Sequence, residues 1–220
     1  MDTHITREAA KARTDVTPSA ASTGGAAGLG SIRRAGAGLT IGALAWAASI
    51  FVYGTDAQGM GGRIHDLTGL AFQLGVFCLL RVQMRTRAIG TSRGAVIALR
   101  VEAVLLAVAG VWSLLHGVLP DGLRDQVWLG LMDIFWPLSM FGMFAIGVKL
   151  ALAARWRGML RWWPLVAETW AVATVPTYLV FGDPLANWVG GCHLVIGYAL
   201  LGLLLTRRPE LTVADEENGR

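Results

Sequence analysis

Asp133 and Pro137 stand four residues apart in a stretch, 126–148, that carries no other charge. Proline has no N–H to close the helical bond to the carbonyl four residues back, so the Asp133 carbonyl loses its partner. A carboxylate and a freed carbonyl at one point suit a cation, a proton relay or a hydrogen bond from another segment. The competing arrangement is a kinked helix whose aspartate bonds a Ser, Thr or Trp on a neighbour. His65, His116 and His193 lie near the ends of apolar stretches on the same side as Asp133. Three His and one Asp could ligate zinc or another transition metal, and two His from different helices could hold a haem iron. No H-x-x-x-H or C-x-x-C spacing occurs, and the ligands would come from four segments. The spacing therefore predicts no cofactor, with a metal or haem at His193, His116 or His65 as the alternative.

Glu102 and Glu168 also fall inside apolar stretches, with Arg100 two residues from Glu102. An ionisable side chain at the centre of a membrane helix costs roughly 2.5–3.5 kcal/mol on insertion scales, so each needs a partner or a purpose. Arg100 cannot face Glu102 on one helix, because neighbours on a helix surface are three or four residues apart. It either extends to the interface or meets a carboxylate on another span, and an Arg100–Glu168 pair closing one end of a bundle is the simplest arrangement. These four residues, Asp133, Glu102, Glu168 and Arg100, form the candidate intramembrane polar site. Cys78 and Cys192 lie towards opposite ends of their segments and are not expected to pair.

The elements that must position them are membrane helices. Hydrophobic residues make up 54% of the 220 and charged residues 15%, too apolar for a soluble domain of this size. Apolar segments cover residues 35–55, 64–84, 95–119, 126–148, 162–182 and 184–206, each long enough to cross a bilayer at 1.5 Å per residue. The fold class is thus all-α, a polytopic bundle of six transmembrane helices over 35–206. Residues 1–34, rich in Ala, Gly, Ser and Thr, are expected to be a disordered tail, and 207–220 a second tail. A cleaved signal peptide is not expected, since the first apolar run starts only after Arg34 and outruns a signal core.

Seventeen of the nineteen Lys and Arg residues fall on one side of this pattern, leaving Arg63 and Arg124 on the other. Basic residues are retained in cytoplasmic loops, which predicts both termini inside and puts Asp133, His65, His116 and His193 towards the outside, Glu102 and Glu168 towards the cytoplasm. Trp156, Trp162 and Trp163 would form an inner aromatic belt, with Trp128 and Trp188 at the outer edge. The sequence pI of about 9.6 does not imply nucleic acid, because the positive charge sits in short loops beside the spans; anionic lipid headgroups are the expected partner. Gly38 and Gly42 form a G-x-x-x-G, and Gly142, Gly147, Gly197 and Gly202 offer further faces for close packing. Trp46-Ala47 and Trp170-Ala171, each followed later by a His, echo one another between the first and last pairs of spans.

The run Asp133-Ile-Phe-Trp-Pro-Leu-Ser, then Gly147 and the Arg-Trp-Arg-Gly of the fourth loop, resembles a pattern in small uncharacterised polytopic membrane proteins of actinobacteria. The resemblance spans segments four to six and implies topology in a bacterial cell membrane, without an activity. The sequence has no phosphate-binding glycine loop, nucleophile elbow or zincin motif, so soluble-type catalysis is not expected. Three roles follow from the residues: small-solute or proton/ion-coupled transport through the carboxylates, a haem- or metal-bearing redox subunit, or a non-catalytic scaffold joining copies of itself or a partner membrane protein.

Overall fold

The computed structural model describes residues 20–213, with side chains from residue 28. Residues 1–19 and 214–220 of the two expected tails lie outside the described residues. Helix α1 (Ala20–Tyr53) starts before the apolar run does and joins the span directly, despite the four glycines ahead of Ala35 that lower its helix propensity. It is followed by α2 (Gly59–Arg85), α3 (Arg93–Val118) and the single turn α4 (Asp121–Arg124). The fourth span is split into α5 (Val127–Asp133) and α6 (Phe135–Ala153), the fifth into α7 (Met159–Glu168) and α8 (Trp170–Phe181). The sixth comprises α9 (Asp183–Leu194), a π-helical turn Val195–Ala199 and α10 (Leu200–Arg207), with a 3₁₀ turn Pro209–Thr212 beyond it. Among the described residues six helical stretches are long and apolar enough to cross a membrane, as a multi-pass membrane protein requires.

Successive spans pack side by side, and α1 closes the circle against α9, the π turn and α10. The ring leaves an interior that polar side chains can occupy. Close approach depends on glycine where a Cβ would collide with the backbone of a neighbouring helix. Gly42 lies on the Ala71 carbonyl of α2, and Gly36 and Gly202 face each other across α1 and α10. Gly38, expected to share the packing face of Gly42, has only the Cys78 sulfur nearby.

Each end of the bundle is tied by its own bonds. At one end Thr206 Oγ1 donates to the Arg33 carbonyl, an Arg85 Nη1 donates to Ser31 Oγ at 2.8 Å, and the Arg157 N–H donates to the Leu211 carbonyl. At the other, Thr55 donates through N and Oγ1 to Asn187 Oδ1, and Arg63 pairs with Asp121 at 2.9 Å. The first and last described residues are therefore at the same end, as an even number of crossings requires.

The expected aromatic belts are partly revised. Trp128, Trp162 and Trp188 are exposed at helix ends, but Trp156 is fully buried, donating to Thr86 Oγ1 at 3.0 Å. It anchors a loop to the bundle instead of resting at an interface.

Candidate functional site

One face of α2 carries Asp66, Gly69, Gln73, Val76 and Leu80, spaced by three and four residues, and all are buried. Asp66 and Gln73 are two turns apart, about 10 Å along the axis at 1.5 Å per residue. One face of α3 similarly carries Glu102, Leu106, Ala109 and Ser113, with His116 about four turns beyond Glu102. On α6, Trp136, Ser139, Met140 and Met143 form the facing stripe. These three faces, closed by α7 and the π turn, create two polar levels inside the ring.

The first level is a cavity of about 480 Å³ towards the end away from the termini. Asp66, only 9% exposed, accepts from His116 Nδ1 at 2.8 Å and from Arg124 Nη2 at 3.1 Å. Trp112 stacks on His116 with ring centroids 4.9 Å apart, fixing the plane of the imidazole. His65 also lines the cavity and accepts from Trp46 Nε1 at 3.2 Å, so its own proton resides on Nδ1. Asp133 faces the same space and makes no ion pair among the described residues. The sequence thus places His65, His116 and Asp133 together correctly but overlooks Asp66, the carboxylate that His116 meets.

Helix α5 ends at Asp133 and α6 resumes at Phe135, the interruption that Pro137 predicts. The break separates Asp133, above, from Trp136 and Ser139, below. Trp46, Trp136 and Trp170 pack with centroids 5.3–5.7 Å apart and floor the cavity. The two echoed tryptophans, Trp46 and Trp170, therefore meet, though their N–H groups differ in partner: His65 for Trp46 and the Gly190 carbonyl, at 2.9 Å, for Trp170.

Beneath the tryptophans lies a second chamber of about 20 Å³, lined by Gln73, Ser139, Glu168 and Tyr198 among Phe72, Leu106 and Met143. Trp136 lines both chambers. Tyr198 donates to Glu168 Oε2 at 2.5 Å, and Ser139 donates to Glu102 Oε1 at 2.6 Å. Both carboxylates are 2% exposed. Glu102 fits only because Gly142 has no side chain, its carboxylate occupying the space a Cβ would need.

The anticipated Arg100–Glu168 pair does not form. Arg100 is exposed, as its long stem allows, and Glu168 has Tyr198 as its partner. Among the described residues each buried carboxylate accepts from one hydroxyl and forms no ion pair with an Arg, Lys or His side chain.

His193 is not brought to the other histidines. Its Nε2 bonds the Val166 carbonyl at 3.0 Å, where the fifth span breaks at Thr169. Among the described residues no group of three or more His, Cys, Asp or Glu converges as metal ligands. His65 and His116 each have a protein partner already, Trp46 and Asp66.

Gln73, Ser139 and Tyr198 were not singled out by sequence. Gln73 had a signal, being the single amide side chain in the uncharged run 67–80. Ser139 and Tyr198 had none, as either could equally face lipid or a neighbour. No known protein family, characterised protein or solved structure matches the chain.

Proposed function

We propose that the chain is a transporter of the bacterial inner membrane that moves a small solute or ion coupled to protons, with both termini in the cytoplasm. The observation that carries this reading is the shared wall: Trp136 lines both the open cavity and the buried carboxylate chamber. A solute entering beside Asp133 and the Asp66–His116–Arg124 group would be stopped by Trp46, Trp136 and Trp170. Movement of Trp136, held on the segment after the α5–α6 break, would join the two levels. Short broken helices can make such a shift at small cost, because their end groups exchange partners without unwinding a full span. The cytoplasmic placement of the termini is supported by the bias of basic residues.

The test is proton flux into vesicles reconstituted with the purified protein, loaded with a pH-sensitive dye and driven by a potassium diffusion potential. Wild-type protein is expected to carry protons faster than empty vesicles, and Trp136→Ala to raise the flux at least tenfold, with Trp136→Phe intermediate. A wild-type rate equal to that of empty vesicles overturns the proposal.

A further inference from the structure

The two buried carboxylates make no direct bond to each other, yet their hydroxyl partners lead to the same small chamber. Ser139 donates to Glu102 Oε1 and lines the chamber, while Tyr198 donates to Glu168 Oε2 and also lines it. Three polar atoms belonging to its walls have no protein partner: Glu168 Oε1, Gln73 Oε1 and Gln73 Nε2. Gln73 and Glu168 are each 2% exposed, so solvent outside the bundle cannot serve them. A buried polar atom without a bond is strongly disfavoured, and a space of about 20 Å³, mostly apolar but bordered by the residues that carry these three atoms, has room for one water.

We infer that this chamber binds a single water molecule which links Glu168 to Ser139 and thereby to Glu102, completing a proton wire between the two carboxyls. The inference rests on the transport reading for its biological use, but its geometry stands on different atoms. Water suits the site better than a metal cation because the walls offer both a donor, Gln73 Nε2, and acceptors, Glu168 Oε1 and the Ser139 oxygen.

The transfer balances in one concerted shift. The O–H bond at Glu168 Oε1 breaks as its proton joins the water, the water releases another proton to Ser139 Oγ, and Ser139 passes its original hydroxyl proton to Glu102 Oε1. One O–H bond is lost at Glu168 and one gained at Glu102, with water and serine restored in reversed orientation. Gln73 is a positioning residue that holds the water by its N–H. Phe72, Leu106 and Trp136 keep further water from diverting the proton.

The experiment is deuterium exchange at the buried carboxyls of the full chain in lipid, followed by their infrared C=O bands and assigned with Glu102→Gln and Glu168→Gln. Ser139→Ala and Gln73→Met should each slow exchange at one of the two carboxyls at least tenfold, while Ser139→Thr, which keeps the hydroxyl, should not. Equal exchange in all variants overturns the wire, as does the lack of any carboxylic-acid band. Loss of the band on adding sodium, abolished by Glu168→Gln, would put a cation in the chamber and overturn the water. Slowed exchange together with no vesicle flux would uphold the wire and remove only the transport role.

Discussion

Asp66 illustrates how much one side chain can hold. It accepts from His116 and Arg124 while nearly enclosed, so its removal leaves a guanidinium that is only 12% exposed without its closest counter-charge. Breaking such a pair costs about 3 kcal/mol, because the partner charge stays desolvated. Asp66→Ala should therefore lower stability by about that amount in denaturation of the detergent-solubilised protein. Asp121 is the internal control: its pair with Arg63 is as short, 2.9 Å, but Asp121 is 80% exposed, and Asp121→Ala should cost less than about 1 kcal/mol. A larger loss for Asp121 than for Asp66 would show that the burial argument fails. A second residue-scale test concerns Gly142. Adding a methyl there drives into the Glu102 carboxylate, so Gly142→Ala should cost about 1–3 kcal/mol, and Glu102→Ala in the same chain should recover part of it. Additive losses would mean that the two do not share space. At this scale the sequence exposes a carboxylate but not its partner. Asp66 looks like the polar end of a short span until Arg124, fifty-eight residues later, folds over it.

Three of the six spans are interrupted, and the interruptions in the fifth and sixth satisfy one another. The Val166 carbonyl, at the end of α7, accepts from Thr169 Oγ1 at 2.7 Å and from His193 Nε2. The carbonyls of the π turn are served in return: Trp163 Nε1 donates to Ile196 and Gly197, and Thr40 Oγ1 donates to Ala199. Lipid offers no hydrogen bonds, so a freed carbonyl must find a donor on another helix. Trp163→Phe removes the donor and keeps the ring, and should cost about 1 kcal/mol with faster hydrogen exchange across residues 195–200. Unchanged exchange there would mean that the π turn does not depend on Trp163. The break in the fourth span could be foreseen, because Pro137 announces it by chemistry. The π turn could not be, since Val-Ile-Gly-Tyr-Ala contains no proline and its geometry follows from closing the ring against α1 and α7. The same closure turns Tyr198 inward to Glu168, which no local pattern in the sixth span encodes.

The whole molecule separates its charges by end. Arg63 and Arg124 are matched by Asp121 and Asp66 at one end, whereas Arg34 and Arg81 at the other are exposed and make no ion pair among the described residues. Arginines beside apolar helices bind anionic headgroups and resist translocation, so the proposed topology puts the end bearing the first and last described residues on the cytoplasmic side. This can be tested without knowing any substrate. Cys78 and Cys192 are both free, so they are first replaced by Ser to leave a chain without thiols. Single cysteines then go to Gly122 in α4, where added atoms meet open space, and to the exposed Thr91 between α2 and α3, at opposite ends. In intact cells a membrane-impermeant maleimide should label Gly122→Cys and leave Thr91→Cys unlabelled until the membrane is broken. The reverse pattern would place the Asp66 cavity on the cytoplasmic side. Under the proposed transport reading it would also invert the coupling, because a solute meeting Asp133 first would then be leaving the cell, with Glu102 and Glu168 receiving their protons from outside.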